Sequence, residues 1–291
     1  MWRFKDLSFV KLFKLTARQG RLMVVVGGAI CAFIAFLIIF GDFVAPYDPY
    51  AYVGMSLEPP SYQFVMGTDS LGRDIFSRVL VGSRVSLLIA AISVGISLSI
   101  GSILGAISGY VGGLLDKTLT AVSDSLYTFP TLILAILISA VLGPGYTNTG
   151  MAIGIPIIPA YFRVIRGITL SVKERGFIEG EKVLGNSPLS IIFRHIAPFY
   201  TSTLIVMASM SVSGSILSVA GLGFIGLGIP PPSPEWGSIL AGGSVWLLSG
   251  KYWIVLFPGI MIFITILGFS LLSEGLDLVY NQRERRMAMR G

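Results

Sequence analysis

An unbroken apolar run from Leu22 to Phe40 sets the terms for the whole chain. A run of about 20 such residues is the length of helix that crosses a bilayer. Five more follow: Val85 to Tyr110, Leu119 to Leu142, Met151 to Leu170, Phe199 to Ala220 and Tyr252 to Leu272. The chain is 54% hydrophobic and only 12% charged, so it has too few polar groups to cover a water-facing surface. A soluble domain carries about a quarter charged residues. The expectation is an all-α polytopic membrane protein with six transmembrane helices.

Arg3, Lys5, Lys11, Lys14, Arg18 and Arg21 precede the first run, against one acid, Asp6. A secretory signal also starts basic, but its apolar core is shorter, and no small-residue cleavage site precedes a soluble domain here. The first run is read as a retained helix with its N-terminus inside the cell. Six crossings from that start place both tails and the loops around Asp116 and Glu179 in the cytoplasm, where nearly all Lys and Arg then lie. Arg73, Arg78, Lys251 and, at the membrane edge, Arg84 fall outside. The positive-inside rule thus agrees with a count taken from hydropathy alone, and it accounts for the net charge of +6 without a nucleic-acid partner. The chain is assigned to the plasma membrane with both termini cytoplasmic.

These readings divide the chain into a basic tail (1–21), a first transmembrane helix (22–44), an extracytoplasmic loop (45–82), a five-helix unit (83–280) and a cytoplasmic tail (281–291). The outer loop is rich in proline and acid: Pro46, Pro49, Pro59, Pro60, Asp42, Asp48, Glu58, Asp69 and Asp74. Thr68 or Asp69 is expected to cap a short helix starting near Ser70, with Leu71, Ile75, Phe76, Val79 and Leu80 on one side, lying along the outer membrane surface. In the second run Gly101, Gly105 and Gly109 recur every four residues, a stripe that lets helices approach closely. Pro130 should kink the third run, and Pro156 and Pro159 open the fourth.

Enzymatic chemistry finds little support. No G-x-x-x-x-G-K-[ST] occurs, so the chain has no P-loop. Gly221, Gly223 and Gly226 fit G-x-G-x-x-G, but a membrane run precedes them and Pro230 to Pro232 follow, where a dinucleotide site needs a strand and a helix. Those glycines are read as ending the fifth helix and shaping the outer loop. Cys31 and His195 are single residues of their kind, which rules out a disulfide framework and a multi-histidine metal site built from this chain alone. His195 is placed at a helix C-terminus beside Arg194. Asp124 is the one carboxylate set well inside a run, beside Ser123 and Ser125. A charge at membrane depth costs at least about 2.5–3.5 kcal/mol, so it either faces the bundle interior or serves a pathway that Tyr127, Phe129 and Tyr161 would help to line.

The longest polar interruption of the second half is Phe177 to Phe199. Gly185 stands where a short helix needs a left-handed C-terminal residue; Asn186 or Ser187 can cap a second helix that opens on Pro188. The pattern is helix, sharp bend, helix. Phe177, Ile178, Leu184, Leu189, Ile192 and Phe193 are too many apolar residues for a loop wetted on every side. The element is therefore read as a docking surface on the cytoplasmic side.

Glu179-Gly180-Glu181, then Gly185, Ile196 and Pro198, resembles the EAA motif of ABC importer permeases. Gly67-Thr68-Asp69-Ser70-Leu71-Gly72-Arg73-Asp74 resembles the GTDxLGRD signature of the "C"-type subunit of the dipeptide/oligopeptide family. Further landmarks appear in the same order: Ala45 to Pro49, Ser108 to Gly113, Arg163 to Arg166, Pro231 to Gly237 and Phe257 to Gly259. The chain departs from that family at Gly180-Glu181, where Ala-Ala is usual, and at Ser270 and Ser273-Glu274, where Asn and Gly-Asp are usual.

The resemblance implies type I permease architecture, a homologous permease partner, two cytoplasmic ATPases and an extracytoplasmic solute-binding protein. It implies that the 174–197 loop is the coupling element, with Glu179, Gly180, Glu181 and Gly185 serving contact with an ATPase. No cofactor is expected in this chain, ATP and Mg being held by the ATPases. Peptide cargo is implied first, with oligosaccharide, nickel or glutathione as other cargoes of related permeases. A self-sufficient secondary transporter would show inverted repeats and midplane charges; no clear repeat is present, and Asp124 is the one weak candidate.

Overall fold

The computed structural model describes the backbone of residues 3–288 and the side chains of residues 19–280. The basic side chains of residues 1–18 and of the last eleven residues, on which the tail assignments rest, lie outside the described residues. Five helical stretches are long and apolar enough to cross a membrane: Gln19–Val44, Ile75–Val111, Tyr146–Lys173, Pro188–Phe224 and Trp253–Tyr280. A sixth crossing exists if one bent pair, Gly113–Tyr127 with Thr131–Leu142, counts as a single span.

Helix α1 (Arg3–Val44) packs antiparallel to α11 (Trp253–Ala288) through small residues on both sides. A Cβ added at Gly27 would lie 2.8 Å from Gly268 O, and one at Gly275 would lie 2.8 Å from Gly20 O. Helix α2 (Ile75–Val111) packs parallel to α6 (Ile158–Lys173) along the predicted glycine stripe. Added Cβ atoms would lie 2.6 Å from Tyr161 Cβ at Gly101, 2.5 Å from Phe162 O at Gly105 and 2.8 Å from Arg166 O at Gly109. With nothing but hydrogen on those α-carbons the helices approach to backbone contact, and dispersion rather than water exclusion holds them there.

Two elements differ from the sequence expectation. No helix starts at Ser70. Thr68 and Asp69 hold the chain as a loop instead: Thr68 Oγ1 donates to Met55 O at 2.7 Å, and Asp69 accepts from the Leu71 and Arg73 amides and from Arg73 Nε at 2.7 Å. Gly72 follows at φ +75°. Asp74 is the cap, accepting from the Ser77 amide at 2.7 Å, and α2 then runs unbroken to Val111. Ile75, Val79 and Leu80 face the core, so the expected surface helix is the first turns of the second span. Asp69 failed as a cap because the guanidinium of Arg73 took its carboxylate, with Arg78 Nε 3.6 Å away.

The third apolar run is not one straight helix. Helix α3 (Gly113–Tyr127) and α4 (Thr131–Leu142) meet at 93°. Pro130 lacks an N–H and sits extended at ψ 125°, so the helix ladder ends before it, and Thr128 closes α3 by donating its N–H to Asp124 O. The fourth run is gentler: α5 (Tyr146–Gly154) passes through a 3-10 turn at Ile155–Ile157 into α6.

The loop after α9 (Ala197–Phe224) contains a helix the sequence reading missed, α10 (Trp236–Ser244). Glu235 caps it, accepting from the Gly237 and Ser238 amides at 2.7 and 2.8 Å. Trp236 is fully buried among Ile34, Leu37, Leu87 and Ile216, and its ring N–H donates to Val79 O at 2.9 Å. Gly223 belongs to the same contact, since a Cβ there would overlap the Glu235 carboxylate. Of the three glycines, Gly221 and Gly223 lie in the last turn of α9, where Gly223 admits a carboxylate, and Gly226 follows the helix end at φ +82°.

Candidate functional site

Helix α7 (Gly176–Val183) ends in a Schellman motif. Gly185 at φ +81° donates its N–H to Lys182 O, and the Asn186 N–H reaches back to Glu181 O. Ser187 then caps the next helix, its Oγ accepting from the Ser190 amide at 3.3 Å, with Pro188 at the first helical position. That helix, α8 (Pro188–Ser190), continues through a π-helical turn, Ile191–Ile196, into α9. The elbow therefore has the geometry its residues predicted.

His195 does not. It lies inside the continuous helix Pro188–Phe224, on the π turn, rather than at a helix C-terminus. The extra residue of the π turn carries it back toward α7, where its Nδ1 is 3.4 Å from Glu181 Oε1. Glu181 Oε2 accepts from Asn186 Nδ2. Glu181, one of the two departures in the motif, thus braces the elbow from inside. Gly180, the other, has no atom within 4 Å of an added Cβ, so nothing here requires glycine. Glu179 is exposed.

The element has two apolar faces. Ile178, Ile191, Ile192 and Ile196 are buried with Ala106, Ile165, Val172 and Tyr200 of the bundle. Phe177 stacks on Phe199 at 5.7 Å, and the Arg175 guanidinium lies 4.9 Å from the centre of the Phe199 ring. The opposite face is bare: Val183 is 88% exposed, Leu184 78% and Leu189 60%. The inner face packs the element against α2, α6 and α9. The outer face, a cluster of aliphatic side chains in an otherwise polar segment, is the kind of patch that marks a protein contact.

Just above the root, Asp116 and Arg166 form a bidentate ion pair, Arg166 Nη2 lying 2.7 Å from Asp116 Oδ2, and Ser108 Oγ donates to the same carboxylate. This joins α2, α3 and α6. In the sequence Asp116 marks only a loop and Arg166 only the end of a landmark; their pairing was not foreseen, because partners fifty positions apart carry no local signal.

Of the four pathway residues, Asp124 and Tyr127 come together and acquire a third member. Arg163 Nη2 lies 2.7 Å from Asp124 Oδ1, and its guanidinium stacks 4.0 Å from the centre of the Tyr127 ring. Phe129 lines an adjoining groove with Tyr127, Thr128, Pro130, Thr131 and Pro156. Tyr161 is separate: it is fully buried against Gly101 and donates its hydroxyl proton to Ser211 Oγ at 2.9 Å. It packs the core and lines no open surface of this chain. At the other departures from the family pattern, Ser270 Oγ donates to Ser213 Oγ and Ser273 Oγ to Val206 O, tying α11 to α9. Among the described residues no three His, Cys, Asp or Glu side chains are grouped to hold a metal ion.

Residues 101–286, which contain α3 to α10 and most of α11, match the binding-protein-dependent transport system inner membrane component family. The chain is similar to the glutathione transport system permease protein GsiD of Shigella flexneri serotype 5b, at 45% identity over 240 residues, covering 82% of this chain and 79% of that protein. It is also similar to GsiD of Salmonella typhimurium, at 43% identity over 261 residues, covering 89% and 86%. The chain belongs to the family of binding-protein-dependent transport system inner membrane components and is a multi-pass permease subunit of an ABC importer.

Proposed function

We propose that this permease forms half of a translocation pathway together with a homologous permease subunit, and that it passes the motion of two cytoplasmic ATPases to that pathway through Phe177 to Phe199. The observation that carries this reading is the two-faced elbow: an inner face seated among Ala106, Ile165 and Val172, and an outer face of bare Val183, Leu184 and Leu189. An element packed into the bundle on one side and unpartnered on the other can transmit a push. A flexible loop would absorb it. In this reading the elbow and both termini are cytoplasmic, ATP and Mg are bound by the ATPases, and an extracytoplasmic solute-binding protein delivers cargo.

The cargo is a short peptide. Support comes from the GsiD relatives, which are named for transport of glutathione, itself a tripeptide. That makes glutathione the first cargo to assay.

The test is purification of the tagged chain from its membrane. An ATPase should accompany it, and Leu184→Asp should lose that ATPase while inserting normally. Ion-coupled uptake by the chain without any ATPase would refute the reading.

A further inference from the structure

Asp124 and Arg163 sit where charges are hard to accommodate. Arg163 is ten residues before Lys173, about 15 Å along α6, and Asp124 is eight residues beyond Asp116, about 12 Å along α3. Lys173, Asp116 and Lys117 mark the polar end of these helices. Helix α3 meets α4 at 93°, so length along α3 does not measure depth, but Arg163 places the pair within the membrane-crossing stretch Tyr146–Lys173. Yet the pair's side chains are 43% and 52% exposed. Lipid against that face would meet two charges at a depth where each one costs several kcal/mol.

The rest of α3 agrees. Lys117, Thr118, Ser125 and Thr128 are exposed along with Asp124, and Ser123 is the one buried residue of the helix. Leu114, Val122 and Tyr127 are exposed on the same helix, so α3 presents a mixed surface whose polar groups need water or a polar partner beside them. The groove under the 93° break, lined by Tyr127, Thr128 and Phe129, supplies a concave surface next to the pair. The pair is held by hydrogen bonds to one carboxylate oxygen and by one stacked ring, with Arg166 near enough to add a longer-range attraction to Asp124. Asp116 with Arg166, by contrast, is bidentate, half-buried and braced by Ser108. The first pair is built to open and the second to stay closed.

We infer that Asp124, Arg163 and Tyr127 form an ion-exchange site in the translocation path that takes zwitterionic cargo of the short-peptide class. The cargo's α-carboxylate replaces Asp124 on Arg163, and its α-ammonium takes the released Asp124. Tyr127 keeps the guanidinium aimed at the path during the exchange. The exchange replaces one ion pair by two, and all four charges are then paired. Cargo lacking one of the two charges would leave an unpaired charge in the path. This inference rests on the importer reading.

The test uses the full chain in the complex it purifies with, in liposomes, carrying Cys31→Ser and Thr128→Cys. Thr128 is exposed and one turn from Asp124. A sulfonate-bearing and a trimethylammonium-bearing methanethiosulfonate are compared for rate of reaction with the introduced thiol, with and without ATP. Both should react, at similar rates. Asp124→Asn should favour the anionic reagent and Arg163→Gln the cationic one, each on the order of tenfold for one uncompensated charge nearby.

Tri-alanine should slow labelling, its C-terminal amide should not, and Arg163→Gln should abolish the protection. A thiol inert in every state would overturn the inference, as would reagent preferences indifferent to both variants, or equal protection by the acid and the amide. Ser125→Cys serves as the second reporter if Thr128→Cys fails to assemble. Labelling is read whether or not an ATPase accompanies the chain, so loss of the importer reading and loss of this site are separate results.

Discussion

Gly185 offers a perturbation whose size can be worked out in advance. Its φ is +81°, and no atom lies within 4 Å of the position a Cβ would occupy. A side chain there meets nothing, so the penalty is confined to the backbone: about 1–2 kcal/mol for placing a Cβ-bearing residue in the left-handed region. Asn tolerates that region best and a β-branched residue worst. The series Gly185→Asn, Gly185→Ala, Gly185→Val should therefore weaken the elbow in that order. Two hydrogen bonds of the helix end, Gly185 N–H to Lys182 O and Asn186 N–H to Glu181 O, depend on the conformation and go with it. A loss of 1–2 kcal/mol changes the population of the intact elbow by a factor of about 5–30. The buried inner face, Ile178 with Ile191 and Ile192, is untouched, so all three variants should insert and assemble. The assay is cargo-stimulated ATP hydrolysis by the assembled complex in liposomes, alongside limited proteolysis at the elbow. Full stimulation in Gly185→Val, or a worse result for Ala than for Val, would refute the reasoning, since steric crowding is already excluded.

Three other outcomes are expected. Gly105→Val should lower the thermal midpoint of the solubilised protein by an amount matching about 1–3 kcal/mol, because its Cβ would stand 2.5 Å from Phe162 O, whereas Gly95→Ala, with open space around it, should not. Trp236→Ala should remove about 3–5 kcal/mol by emptying the site among Ile34, Leu37 and Leu87, and protease should then cut the 225–250 segment faster. Glu235 is buried, and burial raises its pKa above 4.5 against the opposing pull of the Gly237 and Ser238 amides and Ser86. A raised acid binds its proton more tightly folded than unfolded, so stability falls as pH climbs from 4.5 toward the folded value. Unfolding midpoints of wild type and Glu235→Gln, measured from pH 4 to 8, should diverge across that window, the wild type showing the steeper decline.

Much of the molecule was legible because it rests on local rules. Gly185, Ser187 and Pro188 predicted their own conformations, since a helix end is decided by the few residues that cap it. The spacing of Gly101, Gly105 and Gly109 announced a close helix contact, though not that α6 would be the partner. Apolar run length found the spans, because a bilayer asks only that about 20 residues be apolar. Where local rules competed, they misled. Thr68 and Asp69 look like caps until Arg73 and Met55 claim their side chains, leaving the role to Asp74. Pro130 promised a kink and produced a 93° break.

What the sequence by itself determined is the apolar spans, the elbow and the membrane class, all properties of neighbours within a few positions. Only the tertiary structure decided that Tyr161 is core, that His195 turns back to Glu181, that Glu235 and Trp236 plug the bundle, and that Arg163 joins Asp124. Each of those depends on partners 14 to 157 positions apart. Side chains so distant are brought together by helix packing, and that packing is set by the summed fit of entire helix faces rather than by any motif.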